Sequence, residues 1–236
     1  MKKILLVSGC SFTTANYASW FHPDMDCDWP KWPELLAENL DMHVVNLAES
    51  GQGNEFIFSS IYDYIAKNDT KNIGYVLAAW SQVQRRDYSV TKYGQKRWSS
   101  DHFEMRGDLY YSIEKSLRYY GMFQTLMEKN GLRYKQFQMI EPFKDNFGIL
   151  NPGTKLNSHV DSQICINMWE NSPLSKIIKK QHFIGWPSHQ SIDGGFSMQG
   201  AITKNRTNKQ YDISEKDVHP NEIGHQKYAE FIKRYL

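Results

Sequence analysis

The feature that most constrains this chain is its opening stretch, Ile4-Leu5-Leu6-Val7-Ser8-Gly9-Cys10-Ser11. A run this short and this rich in branched residues reads as a strand buried on both faces. It stops abruptly at a glycine followed by small polar residues. At Gly9 the backbone is expected to turn sharply, leaving Ser11 at the strand's carboxyl end. In open α/β sheets that edge is where ligands bind. Ser11 is therefore a candidate nucleophile on a tight turn, with its own N–H available as a donor. The plainer alternative is that Ser11 or Thr13 only caps the segment that follows.

The rest of the chain alternates in a way that extends this start into a parallel sheet. Pro33 suits a first helical position, and Leu35, Leu36 and Leu40 share one helical face. His43–Leu47 reads as a second strand, ending in a Gly-rich loop at Ser50-Gly51-Gln52-Gly53-Asn54. Phe56, Ile57, Ile61, Tyr64 and Ile65 repeat at helical spacing, and Ile73–Trp80 reads as a third strand. Leu109 to Met127 is a further helix closed by Asn130-Gly131, and Tyr134–Ile140 a fourth strand stopped by Glu141-Pro142. Ile223, Tyr228, Phe231 and Ile232 form one face of a terminal helix. The segment 87–108 is polar and aperiodic and is expected to be a long loop or insertion. So is 143–215, with a helix near Leu174–Lys180 and a strand at His182–Trp186. At 236 residues one domain spanning 1–236 is expected.

Composition narrows the function classes. A net charge of +2 gives no support to nucleic-acid binding. Three cysteines, Cys10, Cys27 and Cys165, are an odd number without metal spacing and read as free thiols. No metal or cofactor is expected. Lys2-Lys3 precedes too short an apolar run for a signal peptide, and no stretch reaches transmembrane length, so no membrane role is expected. A cytoplasmic protein is expected, and virion association enters only with the resemblance described below. Seven Trp, fourteen Tyr and twelve Phe can fill a core, and some are expected to line a cleft.

Right-handed crossovers place the strand-ending loops on one edge of the sheet. Ser11 then offers a hydroxyl, Gly51 an unobstructed N–H, and His219, ahead of the terminal helix, a base. These are the parts that acyl transfer needs.

Three blocks in this order resemble the SGNH (GDSL-type) hydrolase superfamily, in particular its divergent bacteriophage members. The first is Val7-Ser8-Gly9-Cys10-Ser11-Phe12-Thr13, with Cys10 where the usual motif has Asp. The second is Asn46-Leu47-Ala48-Glu49-Ser50-Gly51, and the last is Asp217-Val218-His219-Pro220-Asn221. The resemblance implies a three-layer α/β/α, flavodoxin-like fold and a serine esterase. Ser11 and His219 would be catalytic, Asp217 a helper, and the Ser11 and Gly51 N–H groups the oxyanion hole. Two departures stand out. The family's G-x-N-D block is replaced by Ser81-Gln82-Val83-Gln84, so Gln82 or Gln84 is expected to supply the missing amide. The usual D-x-x-H puts its carboxylate where Lys216 stands, whereas Asp217 is two residues before His219.

Asn54, Trp80 and Gln84 are further candidates for substrate contact, although Asn54 more simply caps a helix and Trp80 more simply packs. His225 is expected to be structural. The expected substrate is an acetyl or short acyl ester of a carbohydrate, or another small ester. The rival from another class is a non-catalytic scaffold protein of a phage particle. A phosphate-binding loop at Ser11-Phe12-Thr13-Thr14 ranks below both, because no G-x-x-x-x-G-K-[ST] is present.

Overall fold

The computed structural model describes residues 2–92, 95–101, 109–142, 167–186, 197–203 and 208–236. Cys165 and the remaining parts of the two expected insertions lie outside them.

The first strand, β1 (Ile4–Ser8), is central, as its apolar run requires. It pairs in parallel with β2 (His43–Asn46) on one side and β3 (Ile73–Trp80) on the other. The sheet continues in parallel through β6 (Tyr134–Gln138) to β7 (Phe183–Ile184), in the order β2-β1-β3-β6-β7. Successive side chains of a strand point to opposite faces, and β3 shows the consequence. Val76, Ala78 and Trp80 enter one core with Ile57 and Ile61 of α2 (Asn54–Lys67) and Leu117 and Phe123 of α3 (Leu109–Lys129). Tyr75, Leu77 and Ala79 enter the other, with Leu36 of α1 (Trp32–Asn39) and Tyr228 and Ile232 of the terminal helix (Glu222–Lys233). Two cores on two faces of one parallel sheet make a three-layer α/β/α, flavodoxin-like fold. The chain leaves β1 for β2 in one direction and returns to β3 on the other side. The crevice at the carboxyl ends of β1 and β3 is therefore the switch point at which such sheets bind ligands.

Three expectations are corrected. Residues 87–108 do not form a loop throughout: Arg86–Lys92 (β4) and Gln95–Asp101 (β5) are paired antiparallel, from Arg86 opposite Asp101 to Lys92 opposite Gln95. The hairpin is held by its backbone ladder and by the Trp98 ring edge-on to Phe56, 5.7 Å away. Its mostly polar sequence therefore carries little hydrophobic periodicity. The helix expected near Leu174–Lys180 is a short 3-10 segment, Pro173–Ile177, which Ser172 caps by accepting from the Leu174 N–H. The expected strand at His182–Trp186 shrinks to Phe183–Ile184, because its pairing with β6 covers only Gln136 and Phe137. Among the described residues no helix is long and apolar enough to cross a membrane.

Candidate active site

The turn after β1 is fixed by two backbone hydrogen bonds, from the N–H groups of Thr13 (2.8 Å) and Thr14 (3.1 Å) to the Cys10 carbonyl. A Cβ on Gly9 would collide with the Thr13 side chain, so the turn closes this tightly only around a glycine. Cys10 and Phe12 point into the core and leave Ser11 between them, partly exposed. The loop after β2 is tied to this turn: the Asn46 amide donates to the Thr13 carbonyl at 2.8 Å, and the Leu47 N–H to that of Val7 at 2.8 Å. Gly51 in that loop has φ +81°, a conformation that any side chain would strain.

His219 comes to the same edge from the other end of the chain. Asn221 caps the terminal helix by accepting from the Gly224 N–H at 2.9 Å, and its own amide donates to the carbonyls of Gln210 and Asp212. This holds the turn that carries His219. His219 Nε2 is 2.8 Å from Ser11 Oγ, and its Nδ1 is 2.6 Å from Asp217 Oδ1. A hydroxyl, an imidazole and a carboxylate thus stand in line.

Asp217 is 1% exposed and carries more partners than the sequence suggested. Oδ1 also accepts from the His219 backbone N–H at 3.1 Å. Oδ2 accepts from Ser19 Oγ at 2.5 Å and Tyr17 Oη at 2.8 Å. Burial alone would push this carboxyl up, but the hydrogen bonds from His219, Ser19 and Tyr17 outweigh it and hold the group well below the usual carboxylate range. Tyr17 and Ser19 were missed by sequence reasoning. They lie between the Ser11 turn and α1, on a loop interrupted by Pro23 and Pro30 and about 200 residues from Asp217, where no spacing signals the contact.

The loop after β3 braces the loop after β2. Arg85 donates through a terminal guanidinium nitrogen to the Gln52 carbonyl at 2.9 Å and through Nε to Gln82 Oε1 at 3.2 Å. The Asp87 carboxylate accepts from the N–H groups of Gly53 (2.6 Å) and Phe56 (2.8 Å), at the start of α2. Gln82 is partly exposed at this edge, with Arg85 fixing its carbonyl oxygen.

The other expected contact residues are placed differently. Trp80 is fully buried, its Nε1–H donating to Gln136 Oε1, so it is a core residue and not a substrate contact. Asn54 is also internal. Its oxygen accepts from the Ser81 N–H at 2.8 Å and its Nδ2 donates to Ser116 Oγ at 3.0 Å, so its amide is consumed in joining α2, β3 and α3. Nor does it cap α2, whose preceding residue is Gly53. Gln84 is buried as well, with neither amide atom bonded. His225 is structural: it is buried, and its Nδ1 accepts from the Trp32 N–H at 3.2 Å. Among the described residues no group of three or more His, Cys, Asp or Glu is arranged to hold a metal ion.

No protein-family model matches this chain, and no curated protein matches it in sequence. Solved structures do match it in shape. A protein of the G-D-S-L lipolytic family from Desulfitobacterium hafniense superposes with a TM-score of 0.55 over 100% of both chains at 13% identity. A psychrotrophic esterase from Pseudoalteromonas sp., in a structure inhibited by monoethylphosphonate, gives 0.52 over 99% of this chain and 96% of its own at 10% identity. An acetyl xylan esterase gives 0.50 over 99% of both chains at 12% identity. The fold is that of the SGNH hydrolases.

Proposed function

We propose that the protein is a serine-dependent ester hydrolase of the SGNH type. The observation that carries this reading is the relay from Ser11 through His219 to Asp217, with contacts of 2.8 and 2.6 Å. His219 Nε2 takes the Ser11 proton as Oγ attacks the ester carbonyl. The N–H groups of Ser11 and Gly51, with the Gln82 amide, receive the negative charge that develops on oxygen. His219 then returns the proton to the leaving alcohol. Water, activated by the same imidazole, releases the acid from the acyl-enzyme and restores Ser11.

For substrate we propose an acetyl or short acyl ester of a carbohydrate. Support comes from the acetyl xylan esterase among the similar structures, and from Trp20 and Phe21. These two are 90% and 56% exposed beside Ser19, where an aromatic face is open to a sugar ring. The rival reading, a non-catalytic scaffold in a phage particle, gives no reason for three reactive groups to be held in register.

The test is a fluorophosphonate probe together with hydrolysis of 4-nitrophenyl acetate. Stoichiometric labelling at Ser11 and loss of both signals in folded Ser11→Ala are expected. Turnover undiminished in folded Ser11→Ala would remove serine catalysis, and absence of labelling and turnover in the unaltered protein would favour the scaffold.

A further inference from the structure

The loop between the Ser11 turn and α1 encloses the base. Tyr17 Oη lies 2.8 Å from His219 Nδ1 as well as 2.8 Å from Asp217 Oδ2. Its ring stacks on the imidazole with centroids 4.3 Å apart and planes at 29°. Phe12 covers the imidazole too, at 4.5 Å and 37°. His219 is thus packed between two aromatic rings, with Ser11 at one nitrogen and Asp217 at the other.

Proton accounting fixes the roles. Tyr17 has one hydroxyl proton, and the carboxylate is the better acceptor, so the phenol donates to Asp217 Oδ2. Ser19 donates to the same oxygen. The Nδ1 proton of His219 then goes to Asp217 Oδ1, with the phenol oxygen as a second acceptor beside it. Nε2 is left as the lone pair facing Ser11, the tautomer a general base needs. Were the phenol to donate to Nδ1 instead, the carboxylate would lose a donor and the proton would sit on Nε2. Burial and the neighbouring carboxylate push the Tyr17 hydroxyl far up, so it acts only as a neutral donor.

We infer that Tyr17, assisted by Ser19, is a positioning residue that sets the tautomer and orientation of His219 through the Asp217 carboxylate. This rests on the ester-hydrolase reading for its kinetic consequences, though its geometry stands apart from them. The loop itself is anchored away from the reacting atoms. Lys31 Nζ donates to the carbonyls of Cys27 and Trp29, and His22 Nε2 meets Ser214 Oγ at 2.7 Å. Fixing the loop is therefore not left to Tyr17.

The test separates the hydroxyl from the ring. Tyr17→Phe keeps the stack and removes only the donor. It should lower kcat about 10- to 100-fold with KM within about twofold, the range for losing a hydrogen bond to a charged group. Ser19→Ala should act in the same direction. In an Asp217→Asn background the Tyr17→Phe change should have no further effect, because the hydroxyl works through the carboxylate. A low-field proton resonance of His219 Nδ1 is expected in the unaltered protein and should weaken or vanish in Tyr17→Phe. A role confined to anchoring the loop predicts a lowered Tm and the same fold-loss in both backgrounds. That pattern, or unchanged kcat with an unchanged Nδ1 resonance, would overturn the inference. If the unaltered protein turns over no ester, the hydrolase reading fails, and the Nδ1 resonance alone still decides the role of Tyr17.

Discussion

Asp217 Oδ1 stands 2.6 Å from His219 Nδ1 although a single residue separates them in the chain. The same oxygen accepts the His219 backbone N–H, so the short D-x-H spacing closes on itself as a turn. The carboxylate is also buried with two hydroxyl donors. From the sequence, a secondary helper was expected. On these contacts we propose that Asp217 acts as a full partner of His219.

Asp217→Asn is accordingly expected to lower kcat by about 10⁴, as loss of the tautomer-fixing carboxylate does in the serine-protease case. His219→Ala should match Ser11→Ala. Steady-state kinetics on 4-nitrophenyl acetate, with circular dichroism to check folding, decides it. A loss below about tenfold in Asp217→Asn would leave a Ser–His dyad.

Gly51→Ala should reduce kcat by about 10²–10³ with a smaller change in KM. Its φ of +81° places the residue where a Cβ is strained, and relief of that strain would turn the N–H away from the oxyanion. Lowered Tm with catalysis intact would return Gly51 to a turn role only.

The two glutamines after β3 are expected to behave differently. Arg85 fixes the Gln82 oxygen, which directs the NH₂ group elsewhere, and Gln82→Ala should cost about 2–4 kcal/mol of transition-state stabilisation. Gln84 is buried with its amide unbonded. Gln84→Met should keep turnover and raise stability by about 1–3 kcal/mol, the cost of an unsatisfied buried polar group. Denaturant titration combined with kcat/KM measures both. If Gln84→Met stabilises the fold yet lowers kcat, Gln84 is the amide that serves the oxyanion.

Arg85→Met should loosen the loop that carries Gly51, since the guanidinium holds the Gln52 carbonyl at 2.9 Å. A fall in kcat of about tenfold is expected, with Arg85→Lys recovering only part of it. A lone ammonium does not span both Gln52 and Gln82. Full activity in Arg85→Met would show that the loop holds its shape unaided.

His225 gives a stability signature in acid. Burial first, then the nearby charges of Lys31 and His219, push it down to about 3 from an ordinary value of 6.5. The unfolded chain therefore binds the proton that the folded chain refuses. Stability falls as pH drops from about 6.5 towards 3, by up to about 1.4 kcal/mol per pH unit. His225→Asn can still accept from the Trp32 N–H and should flatten this slope. An unchanged slope, read from urea unfolding across that range, would show that His225 protonates without cost.

The sheet and its helices were legible in the sequence because burial imposes a period. Strands covered on both faces must be apolar throughout, as Leu5 to Val7 are. Helices with one face in the core repeat at three and four, as Phe56 to Ile65 do. The Ser11 turn and the His219 loop could be read from local chemistry, because a tight turn needs Gly9 and a helix start needs Asn221. The β4–β5 hairpin was not legible: backbone pairing between polar strands leaves no hydrophobic signature. Nor were the internal roles of Asn54 and Trp80, because an amide at a helix start or an aromatic residue at a strand end reads the same whether it faces a cleft or the interior. Above all, the contacts of Tyr17 with His219 and of Tyr17 and Ser19 with Asp217 depend on where a proline-broken loop lands against the far end of the chain. That placement is set by packing between residues about 200 positions apart, and only the tertiary structure decides it.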